Sequence, residues 1–255
     1  MERKCVFCGD SLRGQRKSRE HIFPKWLQAH LGLSEEQLHH TLYTKRGEID
    51  HVRSLPFLSH VSGLVCEQCN TGWMSELEGQ AKPLLIPLLD GICKGRIRRD
   101  DCQIIAQWLF KTALTLHSAS QREKKLVPAE HYTMFYEKRT IPKGTVISIA
   151  HFKGQDGLFW IEQGSWRGRP EGGSIERLNE YFKQTYRITL RVGYLAWRVR
   201  YWPIWPKEYG PPFKAFEYDP SSIRDVYPVG HKGISWPPAE SISDLRELDE
   251  GLIIL

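Results

Sequence analysis

The sequence has no apolar run long enough to cross a membrane. Nowhere does it reach the roughly 18 consecutive apolar residues that a spanning helix needs. Its first four residues lead into a cysteine pair instead of the apolar core of a secretory signal. We therefore expect a soluble, cytoplasmic protein that does not interact with membranes.

Internal repeats, low-complexity tracts and a flexible linker are also absent from the sequence. Hydrophobic residues make up 40% and charged residues 26% of it, a composition that excludes a disordered chain. The 255 residues suffice for one large domain or two small ones. A change of character near residue 95 predicts two regions, 1–95 and 96–255.

The charge balance is basic, with a formal net charge of +6 and a sequence pI near 9.0. A basic protein favours polyanionic partners, because each neutralised phosphate releases counterions. Many basic proteins nevertheless bind no nucleic acid, so composition alone leaves the partner open.

Four of the six cysteines form two C-x2-C pairs, Cys5/Cys8 and Cys66/Cys69. In a cytoplasmic chain this spacing favours metal binding over disulfide formation. The two pairs supply the four tetrahedral thiolate ligands that Zn²⁺ prefers. We predict a structural zinc site, with two chance pairs or a redox pair in either loop as the alternatives. Cys93 and Cys102 are expected to be buried thiols.

A family resemblance follows from the residues around these pairs. The string Glu20-His21-Ile22-Phe23-Pro24-Lys25-Trp26-Leu27 lies between the two pairs, and Asn70 directly follows Cys69. This order resembles the HNH, or ββα-metal, endonuclease superfamily over residues 1 to about 80. Two further strings resemble a group of bacterial HNH proteins: Cys69-Asn70-Thr71-Gly72-Trp73-Met74-Ser75-Glu76-Leu77-Glu78 and Trp108-Leu109-Phe110-Lys111-Thr112.

The resemblance implies a metal-dependent enzyme that nicks or cuts DNA by hydrolysing phosphodiester bonds. His21 would be the general base that activates water. Glu20 and Asn70 would ligate a catalytic Mg²⁺ or Mn²⁺, since these ions prefer oxygen ligands, and this site would be separate from the structural zinc. Antiphage defence and mobile elements are the contexts in which such proteins occur.

Each of these residues also has a structural interpretation. Glu20 would form a surface ion pair with Arg19 or Lys25, and Asn70 is a good helix cap. The middle asparagine of many HNH proteins is missing before the second cysteine pair, which leaves His60, Ser62 or a backbone carbonyl to orient His21. The same gap is compatible with an inactive copy.

Basic residues near the motif are expected to contact phosphates without reading sequence. The predicted contacts are Arg16, Lys17, Arg19, Lys25 and Lys111, and a second basic cluster comprises Arg96, Arg98 and Arg99. Ordinary solubilising charge is the alternative, and Glu76 and Glu78 are expected on a solvated helix face.

Hydrophobic periodicity predicts the secondary structure. The expected helices cover residues 25–31, 72–80, 100 onward and 128–139, and the expected strands cover 145–152, 158–162 and one long run, 186–202. That run would bury Ile188 and Leu190 and expose a basic face with Arg187 and Arg191. We predict an α+β fold with an N-terminal treble-clef zinc and ββα-metal module, a helical middle and a C-terminal antiparallel sheet.

The predicted function is therefore that of an HNH endonuclease acting on DNA, with RNA as an alternative substrate. The main rival is a catalytically inactive, zinc-stabilised module that binds nucleic acid or protein. A nuclease that is toxic when unrestrained would need an activating protein partner or a homo-oligomeric state. The sequence assigns no chemistry to residues 120–255.

Overall fold

The fold was analysed in a computed structural model. It describes residues 3–14, 20–32, 37–43, 49–56, 61–120, 126–153, 159–164, 184–203, 213–216, 221–248 and 252–254.

Short elements make up the N-terminal part. Strand β1 (Glu20–His21) pairs antiparallel with β4 (Val61–Ser62), and β2 (Gln37–Tyr43) with β3 (Ile49–Pro56) forms a hairpin between them in sequence. Helix α1 (Lys25–His30) begins directly after Pro24. A proline suits this position because its fixed φ is compatible with the start of a helix.

The second cysteine pair leads into a long, irregular helical segment. It consists of α2 (Glu67–Cys69), a π-helical turn (Asn70–Met74) and α3 (Ser75–Leu89), with non-helical backbone angles at Gly72. The prediction that this helix ends near residue 80 was wrong. Although Pro83 and Pro87 each remove a backbone donor, the helix continues because Leu85, Leu88 and Leu89 are buried on one face.

Two further helices confirm the predicted helical middle. Helix α4 (Arg99–Ala119) is buried along most of its length, and α5 (Ala129–Lys138) ends at Arg139, which adopts a left-handed conformation. The short strand β5 (Gly95–Ile97) precedes α4 and pairs with β12 (Ile234–Trp236), near the C-terminal end of the chain.

The C-terminal part is an antiparallel sheet of five strands: β6 (Thr145–His151), β7 (Phe159–Gly164), β8 (Tyr186–Val192), β9 (Leu195–Tyr201) and β11 (Ile223–Tyr227). Their order in the sheet is β11-β6-β9-β8-β7. Strands β10 (Phe213–Phe216) and β13 (Leu252–Ile254) form a separate pair, and a 3₁₀ helix covers Leu245–Leu248.

The predicted single strand over residues 186–202 was wrong, because the chain reverses within it. Gly193 has a φ of +57°, and with Tyr194 it forms a tight turn that places Val192 opposite Leu195. Similar alternating residues lie on both sides of this turn, so periodicity alone does not reveal it.

The predicted exposed basic face of these strands was also wrong. Arg191 is only 6% exposed and Arg187 is half-buried. On the neighbouring strand β9, Arg198 and Arg200 are only 1% and 3% exposed. Arg198 donates a hydrogen bond to Thr189 and Arg200 donates one to Ser148, while the Arg191 guanidinium lies 3.7 Å from the centroid of the Phe152 ring. Such contacts allow cationic side chains to be buried.

One hydrophobic core extends across the predicted boundary at residue 95. Phe7 and Leu27 belong to the same buried cluster as Trp108 and Trp197. The predicted α+β class is confirmed: an N-terminal cysteine cluster, central helices and a C-terminal antiparallel sheet. In the described part of the chain, every helix is too short or too polar to span a bilayer.

Candidate functional site

The sulfur atoms of the two C-x2-C pairs converge. All four lie within 4.8 Å of one another, with 3.9 Å between the Sγ atoms of Cys5 and Cys69 and 3.6 Å between those of Cys8 and Cys66. Four sulfurs held about 2.3 Å from one Zn²⁺ in tetrahedral geometry are roughly 3.8 Å apart. Both short sulfur–sulfur contacts join a cysteine of the first C-x2-C pair to a cysteine of the second. One ion shared by the two pairs requires such contacts, whereas two separate redox pairs do not.

Backbone amides orient these sulfurs. The Cys66 N–H donates to Cys5 Sγ and the Cys69 N–H to Cys66 Sγ, each at 3.4 Å. Gly9, with a φ of +80°, closes the first pair by donating its N–H to the Cys5 carbonyl at 3.0 Å. Amide donors of this kind stabilise thiolates and hold them in position for a metal.

The electrostatics of the cluster fit a divalent cation. The hydrogen bond with Cys69 lowers the pKa of Cys5 to about 4, whereas the same contact raises the pKa of Cys69 above its ordinary range. Burial raises the pKa of Cys8 to about 12. Adjacent thiolates repel one another, and a bound Zn²⁺ would offset this charge and deprotonate its thiols.

Aromatic side chains attach this cluster to the rest of the molecule. Phe7, between the first two cysteines, packs edge-on against Trp73 and against Tyr132 of α5, with ring centroids 5.3 and 5.4 Å apart. The Arg139 guanidinium lies 4.3 Å above the Trp73 ring. The four-cysteine cluster thus shares its packing with α5.

His21 lies on strand β1, directly opposite Val61 of β4. The residue is half-buried, its Nδ1 is buried, and the next two residues, Ile22 and Phe23, are core residues. Strand β4 leads directly to the second cysteine pair, and Leu64 accepts a hydrogen bond from Val6 N–H at 2.9 Å. The four-cysteine cluster therefore restrains the strand pair that contains His21.

Asn70 is held in place by the second cysteine pair, at the start of the helical segment. It directly follows Cys69, has helical backbone angles, and donates its N–H to the Cys66 carbonyl at 3.1 Å. The N-cap of this helical segment is Cys66, whose sulfur accepts from Cys69 N–H, and not Asn70. The half-buried Asn70 side chain is therefore not needed as an N-cap.

Ser62 lies in the segment where the middle asparagine is missing. It is fully buried and pairs with Glu20 across the two strands. Its Oγ is 3.1 Å from Oγ of Ser118 on α4, so this hydroxyl attaches β4 to α4. His60, the other proposed replacement, lies outside the described residues.

The predicted phosphate contacts fall in different environments. Arg16, Lys17 and Arg19 lie outside the described residues, and Lys25 is exposed at the start of α1. Lys111 is completely buried, with its Nζ 2.7 Å from Oε1 of Glu78 on α3. The expectation of a solvated Glu78 was wrong, since only 20% of its side chain is exposed.

Helix α4 connects both halves of the candidate site, which sequence reasoning missed. Lys111 and Ser118 are seven residues apart, two helical turns, and therefore project from the same side of α4. Lys111 contacts α3, the continuation of the Asn70 segment, and Ser118 contacts β4, the partner of the His21 strand. The Trp-x-x-Lys-Thr string was the only signal for this arrangement, and it did not identify the partner residues.

Comparisons with known proteins add no relative: no protein-family model, no curated protein and no solved structure matches this chain. The geometry therefore defines the class of protein: an α+β protein with a four-cysteine centre of the zinc type.

Proposed function

We propose that this protein is a metal-dependent endonuclease of the HNH type that hydrolyses phosphodiester bonds in DNA. The observation that supports the proposal best is the position of the four-cysteine centre. It restrains both the β1–β4 strand pair, which contains His21, and the helical segment that begins with Asn70. Two strands followed by a helix, here β1, β4 and the segment that begins at Asn70, is the order expected for a ββα-metal module.

In the proposed reaction, His21 accepts a proton from the water that attacks the phosphorus. Imidazole suits this step because its ordinary pKa lies close to neutral pH. Strand pairing to β4 and the buried side chains of Ile22 and Phe23 limit the movement of His21. The backbone that carries the proposed base is thereby held in place before the substrate binds.

Glu20 and Asn70 would hold the catalytic cation through a carboxylate and an amide oxygen. When bound, Mg²⁺ or Mn²⁺ would stabilise the negative charge that develops on the phosphate and on the leaving oxygen. The zinc-type centre takes no part in this chemistry, because its four ligands are all supplied by the protein.

Plasmid cleavage tests the proposal. Purified protein with one zinc per chain is incubated with supercoiled plasmid and Mg²⁺ or Mn²⁺, beside His21→Ala at the same zinc content. We expect the wild type to nick or linearise the plasmid, and His21→Ala to lose at least about 100-fold in rate, the usual contribution of a general base. His30→Ala is the matched control, because His30 is exposed on α1 and pairs with Asp90.

Equal cleavage by wild type and His21→Ala would reject His21 as the base. A wild type that binds DNA and contains zinc but never cuts, with either metal ion, would favour the inactive binding module. Asn70→Ala should raise the Mn²⁺ concentration needed for half-maximal cleavage, which separates a loss of metal binding from a loss of the base.

A further inference from the structure

Two basic segments far apart in the sequence form one surface. Strand β5 pairs antiparallel with β12, so that Arg96 lies opposite Ser235 and Ile97 opposite Ile234. Ile97, Ile234 and Trp236 are buried on the inner side of this two-stranded ribbon, whereas Arg96 and Ser235 are exposed on its outer side. The inner side anchors the ribbon and leaves its outer side facing the solvent.

The turn before β12 is packed against the beginning of α4. Gly233 has a φ of +68°, and a Cβ at this position would lie 2.1 Å from the Ile97 carbonyl oxygen and 3.0 Å from the Arg98 carbonyl carbon. Only glycine permits such a close approach. Arg96 also donates a hydrogen bond from Nη1 to the Lys232 carbonyl at 3.2 Å. His231 and Lys232 are therefore held beside the 94–99 segment.

The result is an exposed surface with an excess of positive charge, which we name the β5–β12 basic surface. Its members are Lys94, Arg96, Arg98, Arg99, His231 and Lys232, and all six are exposed. Asp100 and Asp101 are the acidic residues adjacent in sequence. Asp100 and Asp101 lie in the first turn of α4 and offset the positive end of its dipole, so the attraction for an anion comes from the basic side chains.

We propose that the β5–β12 basic surface binds the phosphate backbone of duplex DNA. Exposed arginine and lysine side chains bind phosphates independently of sequence, and the β5–β12 pairing holds them together on one surface. The inference deepens the proposed function, because it rests on that function for the choice of DNA as the polymer. The surface is distinct from the basic residues predicted around His21.

The length of α4 sets how far this contact lies from the candidate active site. Arg99 at the start of α4 and Ser118 near its end are about 28 Å apart at 1.5 Å per residue. Ser118 contacts Ser62 on the partner strand of β1, which contains His21. A duplex that runs parallel to α4 covers about 8 base pairs over this length, at 3.4 Å per base pair.

A binding titration against salt tests this surface without cleavage. A fluorescent 30-base-pair duplex of arbitrary sequence is titrated with zinc-loaded protein between 50 and 200 mM salt, with no Mg²⁺ or Mn²⁺. The surface variant is Lys94→Gln/Arg98→Gln/Lys232→Gln, which retains the Arg96 hydrogen bond. The control variant Lys138→Gln/Lys143→Gln/Lys153→Gln removes the same charge from lysines that are exposed elsewhere.

We expect the surface variant to lose about 2.7 from the slope of log affinity against log salt, since each phosphate contact contributes about 0.9. Over that salt range, its affinity would then fall about 40-fold less than that of the wild type. The control variant should keep a slope close to that of the wild type.

Three results would overturn the inference. The first is no DNA binding by the wild type at 50 mM salt, and the second is equal salt slopes for the surface and control variants. The third is tighter binding of a single-stranded RNA of equal length, with a salt slope that the surface variant changes for the RNA and not for the duplex. A protein that binds through this surface but never cleaves would reject the proposed nuclease and leave the surface intact. Plasmid cleavage by the wild type, together with a salt slope that the surface variant does not change, would reject the β5–β12 basic surface and leave the proposed nuclease intact.

Discussion

At the scale of single residues, burial decides the role of a charge. Lys111 is predicted from the sequence as a phosphate contact, yet its ammonium is enclosed between α3 and α4 and paired with Glu78. Its Nζ also lies 6.0 Å from the centroid of the Trp108 ring. A lysine in this position connects the two helices.

The two members of this pair should differ in their effect on stability. Glu78→Leu leaves a cation in a fully buried position, a change that costs about 3 kcal/mol or more. Lys111→Met should cost less, because the Glu78 carboxylate keeps some contact with water. Urea unfolding of zinc-loaded protein measures both free energies.

The double variant Lys111→Met/Glu78→Leu should recover much of the loss, since both charges of the pair are then removed together. Glu76→Gln, exposed on the same helix, is the control and should change the free energy of unfolding by less than about 0.5 kcal/mol. A larger loss for Lys111→Met than for Glu78→Leu would contradict this account of the pair.

At the scale of secondary-structure elements, the β8–β9 turn connects the C-terminal sheet to α3. The Tyr194 N–H donates to the Leu89 carbonyl at the end of α3, at 3.0 Å. A Cβ on Gly193 would lie 2.6 Å from the same carbonyl oxygen. The sheet therefore approaches the helix through a residue that has no side chain.

Gly193→Ala should destabilise the protein for two reasons. The left-handed conformation costs a residue with a side chain about 1–2 kcal/mol, and the clash with Leu89 adds to this. We expect a total loss of about 2–4 kcal/mol in thermal or urea unfolding.

Gly79→Ala provides the comparison. A Cβ at Gly79 in α3 would meet no atom within 4 Å, so alanine should stabilise the helix by up to about 1 kcal/mol. Equal changes in the free energy of unfolding for Gly193→Ala and Gly79→Ala would show that the contact of Gly193 with the Leu89 carbonyl does not require glycine.

At the scale of the whole molecule, the four-cysteine centre joins segments that lie far apart in the chain. Its packing continues through Phe7 and Tyr132 into α5 and from there into the common core. Loss of the metal should therefore destabilise more than the N-terminal part, because metal-binding free energy contributes directly to folding.

Cys66→Ser should reduce the zinc content from one ion per chain to nearly none and lower the melting temperature by more than about 10 °C. Cys93→Ser is the matched control, since Cys93 is a half-buried thiol whose raised pKa reflects burial alone. Elemental analysis together with thermal unfolding measures both quantities. Full zinc content in Cys66→Ser would show that Cys66 is not a ligand.

The sequence by itself determined the features that depend on local spacing. Two C-x2-C pairs predict the four-cysteine cluster, because each short loop can present two sulfurs to one ion whatever the surrounding fold. Helical periodicity predicts α4 and α5 for a similar reason, since residues three and four apart share a face. Asn70 lies beside the second pair simply because it is the next residue.

Only the tertiary structure decided which distant residues meet. The burial of Arg198 and the Lys111–Glu78 pair depend on what packs opposite them, and one strand or helix has no local signal for that. The β5–β12 basic surface is the clearest case. The sequence separates its two segments by more than half of the chain, and the pairing of Arg96 with Ser235 brings them together.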